Sequence, residues 1–234
     1  MSLVKNGILW YNIPNVSKEG KQMKKRILCF GDSNTYGTSP NGGRYDEDVR
    51  WTGRLQTLLG SGYTVIEEGF GGRTTVFDDP VEGGYKSGIA YLPPCIMSHN
   101  PLDLIIIMLG ANDTKQRFGM SARTIGEGCM RLIKTARLYA FNADGLPSKI
   151  LLVAPPPIQD WVMQTPYADV FGEKAAPMSR QLAKEYQRYA RLMRCEFLDA
   201  SLYASCSKED AIHMTPQSHA DLAEAFKNRI ISLL

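Results

Sequence analysis

In the stretch ILCFGDSNTYG (27–37), an apolar run stops at Gly-Asp-Ser and a second glycine follows four residues after the serine. A hydroxyl at Ser33, with Gly31 before it and Gly37 after it, suits a tight turn that presents a nucleophile at a sheet edge. The same residues also suit a plain helix cap, with Ser33, Asn34 or Thr35 closing the first turn of a following helix. A serine nucleophile needs a base, and the chain has three histidines, His99, His213 and His219. In DAIH, Asp210 precedes His213 by three residues. That spacing lets its carboxylate reach ring Nδ1 across one turn, fix the tautomer and stabilise the imidazolium. His219 falls inside a helical pattern and His99 beside Asn100-Pro101, so both read as structural. Asp199, closing the last apolar run, is either a substitute acid or a loop carboxylate.

Acyl transfer also needs donors aimed at the developing oxyanion. GFGGRTT (69–75) lets the main chain approach a ligand closely, and the Gly72 N–H is a candidate donor. In LGANDT, Asn112 follows the most apolar run and could turn its amide into the same crevice, although an Asx turn or helix cap with Asp113 uses the same residues. GFGGRTT also faintly matches the dinucleotide fingerprint G-x-G-x-x-G, but Thr74 stands where the third glycine belongs. There is neither a G-K-[ST] phosphate loop nor a G-x-S-x-G elbow, which disfavours P-loop enzymes and ordinary α/β-hydrolases.

Short apolar runs at 26–31, 63–69, 102–110, 149–155 and 195–200 have strand length. Helical patterns at 51–60, around YLPPCIMSH, at 121–141 and at 177–193 separate them. A last one opens on Thr215-Pro216, a cap and first-turn pair, and carries Leu222, Phe226, Ile230 and Leu233 on one face. The alternation predicts a three-layer α/β/α sandwich, flavodoxin-like, on a five-stranded parallel sheet. Ligands bind beyond the carboxyl ends of such strands, which is where GDSNTYG, GFGGRTT and LGANDT fall. EDAIHMTP occupies the loop before the final helix. The long Pro- and aromatic-rich stretch 154–177 reads as a pocket wall or a subunit contact.

The 234 residues are 44% apolar and fit one domain over 23–234, with 1–22 as an N-terminal arm or leader. Twenty-seven basic and 24 acidic residues are interspersed, and the net charge of +3 proposes no nucleic-acid or membrane partner. No apolar run is long enough to span a bilayer, and the N-terminal stretch lacks a secretory signal pattern. Five cysteines without a C-x-x-C pair favour a reducing, cytoplasmic setting and argue against structural zinc.

GDSNTYG, GFGGRTT, LGANDT and DAIH, in that order, together resemble the conserved blocks of the SGNH-hydrolase superfamily, the GDSL-type esterases. The resemblance covers roughly residues 26–233. It implies Ser33 as nucleophile, His213 as base, Asp210 as its partner, and the Ser33 N–H, Gly72 and Asn112 as oxyanion donors, with no metal or organic cofactor. RWTGRLQ, VIEEGFGGRTT, FDDP, YLPPC, PLDLIIIMLGANDTK and VAPPPI are similar to the arylesterase and acyltransferase branch. Its members hydrolyse short-chain esters, can pass the acyl group to alcohols or peroxide, and tend to be oligomers with restricted pockets. The resemblance therefore implies a small acyl-ester substrate and a homo-oligomer. Glu67 and Gly71 depart from the commoner Asn and Ser of block two.

Pocket candidates are Trp51, Arg54 and Arg73 near these blocks, and Trp161, Met163, Tyr167 and Phe171 in the long loop. The leading expectation is a serine esterase or acyltransferase for acetyl-like esters. A carbohydrate O-acetylesterase is the closest alternative, followed by a thioesterase. From other classes, a non-catalytic ligand-binding domain and a nucleotide-binding protein built on GFGGRTT are the rivals.

Overall fold

The computed structural model describes residues 23–234; the stretch 1–22, expected to be an arm or leader, lies outside the described residues. Each apolar run contains a strand: β1 Lys25–Gly31, β2 Tyr63–Gly69, β3 Leu104–Met108, β4 Lys149–Ala154 and β5 Glu196–Asp199. All pair in parallel in the order β2-β1-β3-β4-β5. This is the flavodoxin-like order, and the three-layer α/β/α architecture is as the sequence predicts.

Side-chain alternation along the strands builds two cores. Leu28, Phe30, Ile105, Ile107 and Leu152 pack against helices α3 (Gly88–His99), α4 (Ala122–Tyr139) and α7 (Leu182–Met193). Ile27, Cys29, Ile106, Leu151 and Val153 pack on the opposite face, against α2 (Trp51–Leu59) and α8 (Pro216–Leu233). Register keeps each face apolar across strands, with Cys29 beside Ile106 and Phe30 beside Ile107. Each such side chain taken from water stabilises the fold by about 1.5–3 kcal/mol before chain entropy is charged against it. The caps follow the residue types: Ser121 accepts from Thr124 N at 3.2 Å, and Thr215 from Ser218 N at 3.1 Å with Pro216 in the first turn.

From β1 the chain runs to β2 on one side and then crosses to β3 on the other. The crevice between the carboxyl ends of β1 and β3 is therefore the topological switch point, the usual ligand position in such sheets. The short helix α1 (Ser33–Tyr36) and the 3-10 turn Asn112–Thr114 stand at its two sides.

The stretch 154–177 is less irregular than expected. It contains a 3-10 turn at Asp160–Gln164, the short helix α5 (Ala168–Phe171) and the start of α6 (Ala175–Ser179). The helix expected at 177–193 begins only at Leu182. At the break, Ser179 turns its hydroxyl inward, accepting from Ile158 N at 3.0 Å and donating to Ala176 O at 2.8 Å, so the segment is fastened to the loop after β4. Among the described residues no helix is long and apolar enough to cross a membrane.

Candidate active site

The turn at Ser33 has no room for any residue but glycine at two points. A Cβ on Gly31 would lie 2.0 Å from Thr35 Oγ1 and 2.9 Å from Met108 O, and one on Gly69 would lie 2.1 Å from Tyr36 N. The ends of β1 and β2 thus press directly on α1, and the chain must turn at Asp32. The Asp32 carboxylate caps α1, accepting from Asn34 N at 3.0 Å, and Gly37 closes the helix at φ +86°. The cap is Asp32 and not Ser33, Asn34 or Thr35, which lie inside the helix, and Ser33 is buried but for 8% of its surface.

Asp210 and His213 form the pair that their spacing predicts, with His213 Nδ1 2.5 Å from Asp210 Oδ2. The other carboxylate oxygen accepts from Ile212 N and His213 N, each at 2.9 Å, and from the Ser207 hydroxyl at 3.0 Å. Burial alone would raise the Asp210 pKa, but the hydrogen bonds from the His213 ring and main chain and from Ile212 outweigh it and hold the carboxyl below its ordinary value. Asp210 is therefore an anion able to orient the imidazole and stabilise its protonated form. Ala211 between them sits at φ +67°, an arrangement that costs about 1–2 kcal/mol outside glycine. Its N–H donates to Ser207 O, and its carbonyl accepts from Gln159 N at 3.0 Å, so both neighbours enforce the bend.

Asn34 connects the two loops. Its Nδ2 donates to Ile212 O at 3.1 Å and its Oδ1 accepts from Met214 N at 3.0 Å, so the residue after Ser33 grips the main chain on both sides of His213. Asn34 is 2% exposed, and Trp51 Nε1 donates to its carbonyl at 3.1 Å. From sequence Asn34 reads only as a cap residue; nothing local marks a contact with residues at the far end of the chain.

The third wall is the loop after β2. Arg73 N donates to Phe70 O at 3.1 Å, and Gly72 takes φ +79° at the third position of that turn, where a positive φ calls for glycine. Among the described residues the Gly72 N–H has no main-chain acceptor. Asn112 Nδ2 donates to Arg73 O at 3.2 Å, which places its amide against the same turn and leaves its second N–H for another acceptor. Asp113 ties the two loops together, accepting from Thr75 N at 3.0 Å on both oxygens and from the Thr75 hydroxyl. Lys86 Nζ holds Gly71 O at 2.9 Å, and a Cβ on Gly72 would meet Glu82 Oε2 at 2.9 Å. Glu82 is itself held by the buried Lys115 at 2.7 Å. Asp32 and Asp113 are both wholly enclosed, and burial pushes each carboxyl up to about 6.

The pocket candidates divide. Trp51 is fully buried, packs on Phe226 at 4.6 Å between ring centroids, and belongs to the core beneath the site, not to a pocket wall. Its indole is amphipathic enough to read as a wall from sequence, but the α2–α8 contact claims it. Arg73 is 4% exposed; its guanidinium donates to Gly31 O at 2.8 Å and to Glu68 O, and stacks on Phe30 at 4.4 Å. It braces the sheet edge from behind the turn. Arg54 donates to Asp48 O at 3.0 Å. In the long loop, the Tyr167 ring stands edge-on to His213 at 6.3 Å, with Phe171 at 6.3 Å behind it. Phe171 is 3% exposed and packs with Val162, Ala211 and Ile212, while also lining a cavity of about 560 Å³ with Met163 and Lys115. Trp161 Nε1 donates to Ser207 O at 3.2 Å, tying the long loop to the Asp210 turn.

The remaining candidates have structural partners. His219 Nδ1 accepts from Trp51 N at 3.2 Å, and burial, helped by the nearby charge of His213, lowers its pKa to about 4. Asp199 accepts from Ser201 N at 3.0 Å, capping the turn after β5. Glu67, one of the two departures in block two, accepts from Arg50 at 2.6 and 2.8 Å, from Arg44 at 2.9 Å and from Thr52 at 2.8 Å. That cluster fixes α2 against β2.

A serine at the switch point of a flavodoxin-like sheet, an Asp-His pair fastened beside its turn, and a donor-bearing glycine turn point to the GDSL class of hydrolases. The sequence profile of the GDSL-like Lipase/Acylhydrolase family matches residues 29–220, and the chain belongs to that family. Among solved structures, it is similar to the native aryl esterase of M. smegmatis, at 39% identity, 90% of this chain, 100% of that chain and a TM-score of 0.83. Est24, a carbohydrate acetylesterase from Sinorhizobium meliloti, matches at 36% identity, 90% and 100% coverage and a TM-score of 0.81. A carbohydrate acetylesterase family member from the same organism matches at 32% identity, 90% and 99% coverage and a TM-score of 0.83. No curated protein sequence matches the chain significantly.

Proposed function

We propose that the chain is a serine esterase for short-chain, acetyl-like acyl esters, working through an acyl-enzyme on Ser33. The observation that carries this is the Asp210–His213 pair at 2.5 Å, on a loop that Asn34 clamps to the Ser33 turn. With Asp210 on Nδ1, the lone pair of His213 is on Nε2, the tautomer a general base requires. His213 takes the Ser33 proton as Oγ attacks the ester carbonyl. The oxyanion rests on the Ser33 and Gly72 N–H groups and the free N–H of Asn112, an arrangement in which each donor contributes about 2.7–4 kcal/mol to the transition state. His213 then protonates the leaving alkoxide, and by the reverse steps activates water, or an alcohol in acyl transfer, to release the acyl group. Tyr167, edge-on to His213, bounds the substrate space and keeps it short, with Phe171 as its support. The chemistry calls on no metal or organic cofactor.

Hydrolysis of p-nitrophenyl esters from acetate to octanoate tests this, with wild type beside Ser33→Ala and His213→Ala. Acetate should be fastest and both variants should fall by about 10³-fold or more; wild-type rates no higher than those of the variants would leave a non-catalytic binding domain as the better reading. A carbohydrate O-acetylesterase is the second reading, favoured by the two Sinorhizobium meliloti structures. Acetate release from acetylated xylose at a kcat/KM above that for the aryl acetate would establish it. The five free thiols suit a reducing, cytoplasmic setting. The exposed side chains of Val81, Tyr85 and Met97 suit assembly with further copies of the chain, which light scattering would measure.

A further inference from the structure

Outside this site, Glu68, Cys95 and His99 converge between the edge strand β2 and helix α3. A carboxylate oxygen, the Cys95 sulfur and a His99 ring nitrogen all lie within 4.8 Å of one another, and His99 Nε2 is 2.8 Å from Glu68 Oε1. Cys95 and His99 are one helical turn apart and so share a face, which Glu68 meets from the end of β2. We propose that these three side chains bind a zinc-type divalent cation, with water as the fourth ligand. The site is independent of the esterase reading.

The donor set matches the metal. Thiolate and imidazole select zinc over magnesium or calcium, and zinc accepts sulfur, nitrogen and oxygen together. Tetrahedral bonds of about 2.0–2.3 Å hold donor atoms roughly 3.3–3.8 Å apart, and the present donor atoms lie within 4.8 Å of one another. Metal binding releases the Cys95 proton to solvent, and the resulting thiolate with Glu68 neutralises the dication. The supporting frame is fixed: Arg26 donates to His99 O and to Pro101 O, both at 3.0 Å, and Asn100 Nδ2 donates to Tyr139 O at 2.8 Å. Access exists as well. Cys95 is buried, but the His99 and Glu68 side chains are 29% and 19% exposed, and Glu68 borders a cavity of about 590 Å³ shared with Phe70, Arg73, Tyr85 and Tyr91. Arg73 opposes a cation here, although its guanidinium is engaged by main-chain oxygens and aromatic faces. Its charge weakens the affinity relative to a dedicated structural site. The lack of a C-x-x-C pair argues against structural zinc, but the pattern here is Cys and His four apart on a helix, met by a strand glutamate.

The full-length protein, stripped with a chelator, would be titrated with Co²⁺ and then Zn²⁺. One equivalent of Co²⁺ should give a thiolate-to-cobalt charge-transfer band with tetrahedral ligand-field bands, and zinc should displace it. Cys95→Ser should abolish the charge-transfer band, and His99→Gln and Glu68→Gln should weaken zinc by at least about 10–100-fold, the loss caused even by removing an outer-shell partner. Ser33→Ala and His213→Ala should leave binding unchanged. Near-UV circular dichroism checks folding, and His99→Gln, at a part-exposed side chain, keeps the test open if Cys95→Ser does not fold. The proposal is overturned if wild type gives no band, if the band survives Cys95→Ser, or if zinc binding is lost with His213→Ala instead.

Discussion

Replacing Asn34 by alanine separates the positioning of His213 from the chemistry proposed for Ser33, His213 and Asp210. The substitution removes two hydrogen bonds, at 3.1 and 3.0 Å, and leaves Met214 N unpaired in a buried place, while Ile212 O keeps only the weak Cys206 thiol donor at 3.0 Å. The orphaned Met214 N–H costs about 1–3 kcal/mol and the lost bond to Ile212 O about 0.5–1.5 kcal/mol, a sum of about 2–4 kcal/mol. For a chain of this length that lowers the melting temperature by roughly 5–15 °C. The same loss frees the His213 loop from the Ser33 turn, and a base displaced by about an ångström costs roughly 100-fold in rate. The assay is kcat and KM for p-nitrophenyl acetate well below the variant's melting temperature. Expected is a fall in kcat of about two orders of magnitude with KM within a few-fold of wild type. A variant that melts early yet keeps wild-type kcat would refute the reasoning, because His213 would then be held by the Asp210 turn alone. A variant with unchanged melting temperature would mean that the two hydrogen bonds contribute nothing.

Asp210→Asn should reduce kcat by about 10³–10⁴-fold with little change in fold, since the amide favours the wrong imidazole tautomer; stopped-flow single turnovers would check it. Gly69→Ala forces a methyl to 2.1 Å from Tyr36 N, so α1 must shift and take Ser33 with it; activity should fall at least about 100-fold, read with circular dichroism to confirm that the sheet remains. The Asp32 carboxyl, raised to about 6, binds its proton more tightly folded than unfolded. It therefore favours folding below about pH 4, and that contribution is lost as pH rises through about 6. The melting temperature of Asp32→Asn relative to wild type should accordingly rise between pH 4 and pH 7, and a difference that does not vary with pH would exclude the burial argument.

The strands were legible because parallel strands buried on both faces read as unbroken apolar runs, as in LIIIM at Leu104–Met108. Asp210 and His213 were legible because their contact is local, within one turn of chain. What could not be read were contacts whose partners are far apart in sequence: Asn34 with Ile212 and Met214, Thr75 with Asp113, and Glu68 with His99. Trp51 was misjudged for the same reason, since only the packing of α2 on α8 shows that Phe226 covers it. In the 154–177 stretch, proline and aromatic content suggested irregular chain, yet single helical turns form there because Ser179 and Trp161 anchor them to main-chain groups elsewhere.

The Asn34 clamp also gives the site an order of assembly on the ribosome. Ser33 and all five strands precede residue 200, while His213 follows them and α8 follows His213. A nascent chain that has completed its sheet still has no partner for the Asn34 carboxamide, since Ile212 and Met214 lie 178 and 180 residues downstream. Trp51 likewise waits for Phe226 and for the ring of His219. With the proposed roles of Ser33 and His213, ester cleavage would report on synthesis past the last helix, and chains arrested before it would carry a serine with no means of activating it.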